Sequence, residues 1–255
     1  MSKLSLYVVL CYFIPVILPH FPIGLTLSYF LKITKHDQAS NRINNYLAYL
    51  WLRVFLFLTG RKLEFDLGDW KPENKKRFLI CNHTNSLEVP LIVSLPYLSK
   101  SKDVNLSYLG GDIIQRYKII PLMMHSRIVE AVIYSEIKPD FRNFKKNVLD
   151  VLNRRSIFLY PEGRRTFTED IQPFETGVMK IAYKYNIDLD VFVVSGMMSF
   201  SSDPKFIQPN HNKKILFHYC GTIKSNDHQD FDSYLHTAEN LMINKKKELD
   251  HMLFN

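Results

Sequence analysis

The stretch that decides the fold is FLICNHTNSLEVP, residues 78–90. Its first four letters form an apolar run that predicts a buried strand. Ser86 can then cap a helix whose first turn holds Glu88 and Pro90, because the unpartnered amides of a helix N-terminus tolerate proline and favour a carboxylate. A strand, a polar turn and a helix start therefore meet at His83.

The chain around this stretch alternates short apolar runs with amphipathic segments. Phe141, Phe144, Val148 and Leu152 recur at spacings of three and four and predict a helix with a basic outer face. Further predicted elements are strands over residues 131–134, 156–160, 191–194 and 215–218, and a basic terminal helix over 235–253. This alternation predicts an α/β fold with a central mixed sheet flanked by helices.

The N-terminal part has a different composition. Residues 4–31 contain no Lys, Arg, Asp or Glu, although the mean hydropathy of the whole chain is only -0.12. The run is longer than the apolar centre of a signal peptide, so we expect a retained membrane-anchoring helical region, with a buried soluble helix as the alternative. Its prolines, Pro15, Pro19 and Pro22, predict a kinked span or a re-entrant pair of half-helices.

A second apolar helix over residues 43–59 is expected to lie at the membrane interface. The predicted organisation is therefore a hydrophobic anchor and interfacial helix over 1–60, followed by a catalytic domain over 61–255.

Composition and charge narrow the function classes. The 255 residues carry a formal net charge of +8, which favours an anionic partner. A nucleic-acid partner is not expected, because the basic residues follow no recognised nucleic-acid-binding motif and the N-terminus is hydrophobic. Three cysteines without metal-ligand spacing predict no disulfide framework and no metal site. No cofactor is expected.

Two polar turns carry the candidate chemistry. The first holds His83 and Glu88, and a carboxylate at a helix start can fold back to an imidazole, fix its tautomer and stabilise its protonated form. A surface histidine beside a first-turn glutamate is the structural alternative. The second turn, residues 160–166 (YPEGRRT), also follows a predicted strand. Ligands of α/β sheets gather at the carboxyl ends of strands, so both turns are candidates for one site.

The two turns resemble the motifs of a known family. His83 with Glu88 resembles the H-x4-D motif of the glycerolipid acyltransferases related to 1-acylglycerol-3-phosphate acyltransferase. Residues 160–166 resemble the F-P-E-G-T-R-S motif of that family, and the separation of 79 positions between His83 and Glu162 is similar to the family's. The resemblance covers about residues 45–195.

The resemblance implies roles for individual residues. His83 would be the general base that takes a proton from the acceptor hydroxyl, and Glu88 would orient it. Glu162, Gly163 and Arg165 match the family's E-G-x-R, which implies binding of the acceptor phosphate. Arg164 replaces the usual Thr and is either a second phosphate contact or a solvated side chain.

This sequence also departs from the family pattern. Glu88 stands where the family has Asp, and it is one methylene longer. The arginine expected after the middle strand is absent, so Lys138 or Arg127 is the candidate substitute, and Lys138 is added to the predicted phosphate site.

The resemblance implies an acyl-CoA-dependent enzyme similar to 1-acylglycerol-3-phosphate O-acyltransferase. The expected donor is acyl-CoA or acyl-carrier protein, and the leading acceptor is lysophosphatidic acid, which gives phosphatidic acid. A catalytically inactive lipid-binding relative of the same fold is the alternative.

The distribution of charge predicts the location. One lysine, Lys3, precedes the apolar run, whereas Lys32, Lys35 and Arg42 follow it. The positive-inside rule therefore predicts a membrane protein whose catalytic domain faces the cytosol, at the endoplasmic reticulum of a eukaryote or the inner membrane of a bacterium.

Overall fold

The computed structural model describes residues 18–71, 77–84, 88–99, 106–111, 131–135, 137, 139–166, 168–197 and 213–254. Its elements in chain order are α1 (Leu18–Ile33), α2 (Asp37–Thr59), β1 (Lys62–Asp66), β2 (Arg77–Cys81), α3 (Glu88–Val93), α4 (Leu95–Leu98), β3 (Leu106–Gly111), β4 (Val132–Tyr134), α5 (Phe141–Leu152), β5 (Ser156–Leu159), α6 (Thr176–Lys184), β6 (Asp188–Ser195), β7 (Lys214–Ile223), a 3₁₀ turn (Ser225–Asp227) and α7 (Phe231–Phe254).

The described strands form one seven-stranded sheet in the order β1-β7-β6-β2-β5-β3-β4. The pairing of β6 with β7 is antiparallel, and the other pairs of described strands are parallel. Because β2 pairs with β5 in parallel, with Phe78 opposite Ile157, the carboxyl ends of both strands lie at the same edge of the sheet. The two polar turns therefore leave the sheet side by side.

Strand β2 lies near the middle of the sheet, and its side chains alternate between two cores. Phe78 and Ile80 pack with α5, α6 and α7 on one face, whereas Leu79 and Cys81 pack with α2, α3 and α4 on the other. All four are nearly inaccessible to solvent. An apolar run without polar alternation is what a strand covered on both faces requires, so the prediction of a mixed sheet flanked by helices is confirmed.

Five of the described elements were not predicted from the sequence. They are the edge strand β1, the strand β3, the short helix α4, the helix α6 and the 3₁₀ turn. Four of the five residues of β1 are exposed, so its apolar signal is weak, and β3 ends in two glycines that are rare in strands.

The N-terminal helices differ from the sequence expectation. Helix α1 runs through Pro22 without interruption, and α2 begins at Asp37, six residues before the predicted helix start. In the ranges that the structure describes, no helix is long and apolar enough to cross a membrane, and residues 4–17 of the predicted anchor lie outside those ranges. The membrane-anchoring helix of the sequence prediction is therefore unsupported.

Helix α2 joins the core through one face. Leu47, Ala48 and Leu52 are each 4% exposed, and Leu52 belongs to the core that covers Leu79 and Cys81. This burial attaches α2 to the α/β domain.

A buried polar cluster fixes the amino-terminal end of β2, opposite His83. The carboxylate of Asp190 accepts hydrogen bonds from Arg77 (2.8 Å), Trp70 (2.9 Å) and Thr222 (2.6 Å). These residues come from β2, from the segment before it, and from β7, so one carboxylate on β6 holds three parts of the sheet.

We expect Asp190→Ala to lower the free energy of unfolding by about 3 to 5 kcal/mol, because it leaves buried donors, among them the Arg77 guanidinium, without their carboxylate. Urea unfolding followed by circular dichroism measures this loss. Glu64→Ala is the control, since it removes an exposed ion pair with Lys214 (2.8 Å) and should cost about 1 kcal/mol or less. Equal losses in the two variants would contradict the prediction.

Candidate active site

The site begins with a histidine and a buried carboxylate brought together by the turn after β2. Nδ1 of His83 lies 2.9 Å from Oε2 of Glu88, the first residue of α3. The backbone amide of Thr84 donates to both oxygens of Glu88, at 2.9 and 3.1 Å. Glu88 is fully buried, so these hydrogen bonds compensate for the loss of water around its carboxylate. The chain thus accommodates the longer Glu by folding its carboxylate back onto the turn.

The dyad leaves the second imidazole nitrogen available. Since Nδ1 of His83 is bonded to Glu88, Nε2 is the atom that can exchange a proton, and no hydrogen bond to Nε2 occurs within the described ranges. The His83 side chain is 14% exposed. The dyad can therefore act as a general base whose tautomer is fixed by a carboxylate.

The ring of His83 is also held by an aromatic neighbour. It stacks on Tyr160 with a centroid distance of 3.7 Å and an interplanar angle of 10°. Tyr160 follows β5 directly, so this stacking depends on the pairing of β5 with β2. Burial, together with the nearby carboxylate of Glu88, raises the pKa of Tyr160, which keeps its hydroxyl neutral.

Residues 160–175, which we call the arginine loop, connect β5 to α6. Its Glu162 is 2% exposed and accepts two backbone hydrogen bonds, from the amide of His83 (2.7 Å) and from the amide of Gln172 (2.8 Å). The amide of Thr166 donates to the carbonyl oxygen of His83 at 2.9 Å. The loop is thus attached to both backbone polar groups of His83.

The residues predicted to bind the phosphate differ in how exposed they are. Arg164 is exposed and Arg165 is half-buried. Gly163 has φ +68°, and a Cβ there would lie 2.6 Å from Cγ of Glu175, so the position favours glycine. Lys138 and Arg127 lie outside the described residues.

Glu162 is buried and bonded through both oxygens to backbone amides, so its carboxylate supports the loop. Its role in binding a phosphate stays a prediction. Burial raises the pKa of Glu162, and the two amide hydrogen bonds oppose this shift.

Asn82 contributes to the site although the motif analysis assigned it no role. Its side chain donates to the carbonyl of Val194 at 3.0 Å and accepts from the amide of Val194 at 2.8 Å. The amide side chain thereby continues the pairing of β2 with β6 for one more residue and fixes the backbone next to His83. The sequence signal was available: an amide residue directly after a buried strand.

Electrostatics set the protonation of His83. Burial, and next the positive charge of Arg165, lower the pKa of His83 from its ordinary value of 6.5, while Glu162 acts in the opposite direction. The imidazole is therefore neutral at neutral pH, which is the form that a general base needs. Arg165 also lies near His83 along the loop, because the amide of the next residue, Thr166, donates to the carbonyl oxygen of His83.

The described residues contain no group of three or more His, Cys, Asp or Glu side chains that could hold a metal ion. A buried histidine-carboxylate pair beside an arginine-bearing loop, at the carboxyl edge of a mixed sheet, has the groups that base-catalysed group transfer requires.

The comparisons with known proteins agree with this class of site. The sequence profile described as Acyltransferase matches residues 63–199, more than half of the chain, and the chain therefore belongs to the acyltransferase family. The family resemblance predicted from the two motifs is confirmed. No curated protein sequence matches the chain.

The fold resembles a solved structure of this family. The crystal structure of the 1-acyl-sn-glycerophosphate (LPA) acyltransferase PlsC from Thermotoga maritima is similar with a TM-score of 0.66. The similarity covers 89% of this chain and 95% of that protein, at 11% identity.

The lowered pKa of His83 predicts an acid-sensitive stability. Below pH 6.5 the unfolded chain binds a proton at this residue that the folded protein does not, so the free energy of unfolding falls as the pH falls. Between pH 7.5 and 5.5 we expect wild type to lose about 1 kcal/mol more than His83→Gln, measured by urea unfolding at both pH values. His251→Gln, on an exposed imidazole of α7, should keep the wild-type difference. Identical losses in wild type and His83→Gln would contradict the lowered pKa.

Proposed function

We propose that this protein transfers a fatty acyl chain from a thioester to the free hydroxyl of a lysophospholipid. The observation that carries the proposal is the dyad of His83 and Glu88, with Nδ1 and Oε2 2.9 Å apart. It fixes the tautomer that leaves Nε2 as base, and it lies beside the arginine loop. Family membership supports acyl transfer as the reaction class.

The proposed reaction proceeds by base catalysis. Nε2 of His83 takes the proton of the acceptor hydroxyl as its oxygen attacks the thioester carbonyl, and Glu88 stabilises the imidazolium that forms. The tetrahedral intermediate then collapses, the carbon-sulfur bond breaks, and the thiolate leaving group takes a proton from the imidazolium. The products are an ester and a free thiol, and no covalent enzyme intermediate is required.

The arginine loop is proposed to bind the acceptor phosphate. A guanidinium fork suits a phosphate, and Arg165 directly precedes Thr166, whose amide donates to the carbonyl oxygen of His83 at 2.9 Å. Arg164 is exposed and offers a second contact, and Gly163 allows a close approach of the backbone. Glu162 is assigned a positioning role, because both of its oxygens bond to backbone amides.

Lysophosphatidic acid is the proposed acceptor, and phosphatidic acid the product. A phosphomonoester at the reacting glycerol matches an arginine loop next to the base, and the net charge of +8 favours an anionic substrate. The fold similarity to a protein described as an LPA acyltransferase points the same way. Acyl-CoA and acyl-carrier protein are both proposed donors, since the described residues do not distinguish them.

A thiol-release assay tests the proposed function. Purified protein is incubated with acyl-CoA or acyl-carrier protein and with lysophospholipids that differ only in headgroup. We expect thiol release that depends on the acceptor and is fastest with lysophosphatidic acid. Release with a neutral or zwitterionic headgroup at the same rate would contradict the phosphate assignment. No release with any pair, from a folded protein, would favour the inactive lipid-binding alternative.

Substitutions in the same assay separate the roles of the residues. His83→Ala should lower kcat/KM by about 10³-fold. Glu88→Gln should also lower kcat/KM strongly, whereas Glu88→Asp should lower it only slightly. Arg165→Ala should raise the acceptor KM by about ten-fold or more with little change for the donor. Arg142→Ala, on the exposed face of α5, is the matched control and should behave as wild type.

We further propose that the protein works at a membrane surface, with its catalytic domain in the cytosol. One side of α1 carries large exposed apolar side chains at helical spacing: Ile23, Leu27, Phe30 and Ile33, with exposures of 68, 47, 60 and 61%. The other side packs on α2, where Ser28 and Ser40 form a hydrogen bond of 2.8 Å. Such a stripe, next to an apolar N-terminal segment, suits the acyl region of a bilayer.

Fractionation of the expressing cell tests this location. We expect wild type in the membrane fraction and its catalytic domain accessible to protease added on the cytosolic side of sealed membranes. Ile23→Asp with Phe30→Asp should shift protein toward the soluble fraction, because the apolar stripe then carries two charges. Phe65→Asp is the control, because this phenylalanine on the edge strand β1 is 46% exposed and lies outside the stripe. This variant should stay in the membrane fraction. Protection of the domain from cytosolic protease would overturn the orientation and leave the acyltransferase proposal standing.

A further inference from the structure

A buried lysine of the C-terminal helix contacts the arginine loop. Lys246 is 3% exposed, and its Nζ forms an ion pair with Glu169 of the loop. The same Nζ lies 2.5 and 2.7 Å from the two oxygens of Asp250, one turn further along α7. Asp250 in turn accepts a hydrogen bond from Ser195, the last residue of β6. One ammonium group therefore joins the loop, the helix and the carboxyl edge of the sheet.

A second contact from α7 reaches the same loop. Oε1 of Glu239 accepts a hydrogen bond from the backbone amide of Phe174 at 3.0 Å. Lys246 and Glu239 are seven positions apart, so they project from the same side of α7. The helix thus holds the loop at two points, one through a side chain and one through the backbone.

The burial of the cluster explains why it can act as a fixed support. A lysine this buried is rare unless it is paired, and removing one member of a buried ion pair is costly. The contact is also stiff, because Lys246 bonds to two carboxylates on different elements. The pair of Lys245 with Glu248 on the same helix, at 2.7 Å, is more accessible, with 24 and 57% of the two side chains exposed.

We propose that Lys246 is a positioning residue for the acceptor: through Glu169 it holds the arginine loop so that Arg165 stays beside His83. Glu169 is four positions after Arg165 in the chain. The loop is also bonded to the His83 backbone through Glu162 and Thr166, so Arg165 lies on a segment that is held from the β2 side and, through Glu169, from α7. The inference rests on the proposed function for what the loop binds. Lys246 itself lies outside residues 63–199, which the family profile matches.

Three variants test the proposal. Lys246→Met removes the ammonium group and leaves two carboxylates without their partner, so its melting temperature should fall. The triple variant Lys246→Met, Glu169→Gln, Asp250→Asn removes the uncompensated charges as well, which should recover most of that melting temperature. Lys247→Met changes the neighbouring, exposed lysine and is the matched control.

The kinetic readout compares the change in KM for the acceptor with the change in KM for the acyl donor. In the Lys246→Met and triple variants we expect the KM for lysophosphatidic acid to rise by about ten-fold, because small displacements of a binding group cost large factors in binding and rate. The KM for the acyl donor should stay within about two-fold of wild type. A well-folded triple variant with the wild-type acceptor KM would overturn the proposal, as would equal rises for donor and acceptor.

Hydrogen exchange measured by mass spectrometry gives a second readout that needs no activity. Backbone amides of residues 163–172 should exchange faster in the Lys246→Met and triple variants and at the wild-type rate in Lys247→Met. If wild type has no transferase activity, the proposed function fails and exchange alone decides on Lys246. If neither variant folds, the KM values and the hydrogen exchange of the loop are measured on Glu169→Ala instead. Unchanged exchange of the loop in a folded variant would overturn the proposal.

Discussion

The parallel pairing of β2 with β5 is the constraint on which the site depends. Two strands that run side by side in the same direction must release their chains at the same edge of the sheet, so the turn with His83 and the loop with Glu162 become neighbours. His83 and Glu162 are therefore in direct contact although 79 positions separate them along the chain. The stacking of His83 on Tyr160 is a direct consequence, because each ring follows one of the paired strands.

Buried carboxylates hold the backbone around this edge through the hydrogen bonds that they accept. Glu88 is bonded to an imidazole and a backbone amide, and Glu162 to two backbone amides. Asp190 plays the equivalent part at the opposite end of β2. A buried carboxylate without such partners would be expensive, so these bonds restrict the backbone to one arrangement. Because an unpaired buried charge is costly, these hydrogen bonds keep His83 and the loop beside it in one arrangement.

This arrangement supports the proposed roles of the turn after β2 and of the arginine loop after β5. The turn after β2 holds an imidazole whose tautomer is fixed by Glu88 and whose lowered pKa keeps it neutral at neutral pH. The loop after β5 holds guanidinium groups near it. Helix α7 contacts the loop from outside the residues that match the family profile, and the fold is similar to that of PlsC over 89% of this chain.

The sequence by itself determined the local elements and the chemistry of the site residues. Apolar runs gave β2, β5 and much of β6, the spacing of three and four gave α5, and the two motifs identified His83 and Glu88, because these signals are local in the chain. Only the tertiary structure decided that Glu162 supports the backbone of His83, that Asn82 pairs with Val194, and that Lys246 reaches Glu169. These contacts join residues 77 to 112 positions apart, and a carboxylate or an amide in a sequence carries no sign of which distant donor will meet it once both are buried.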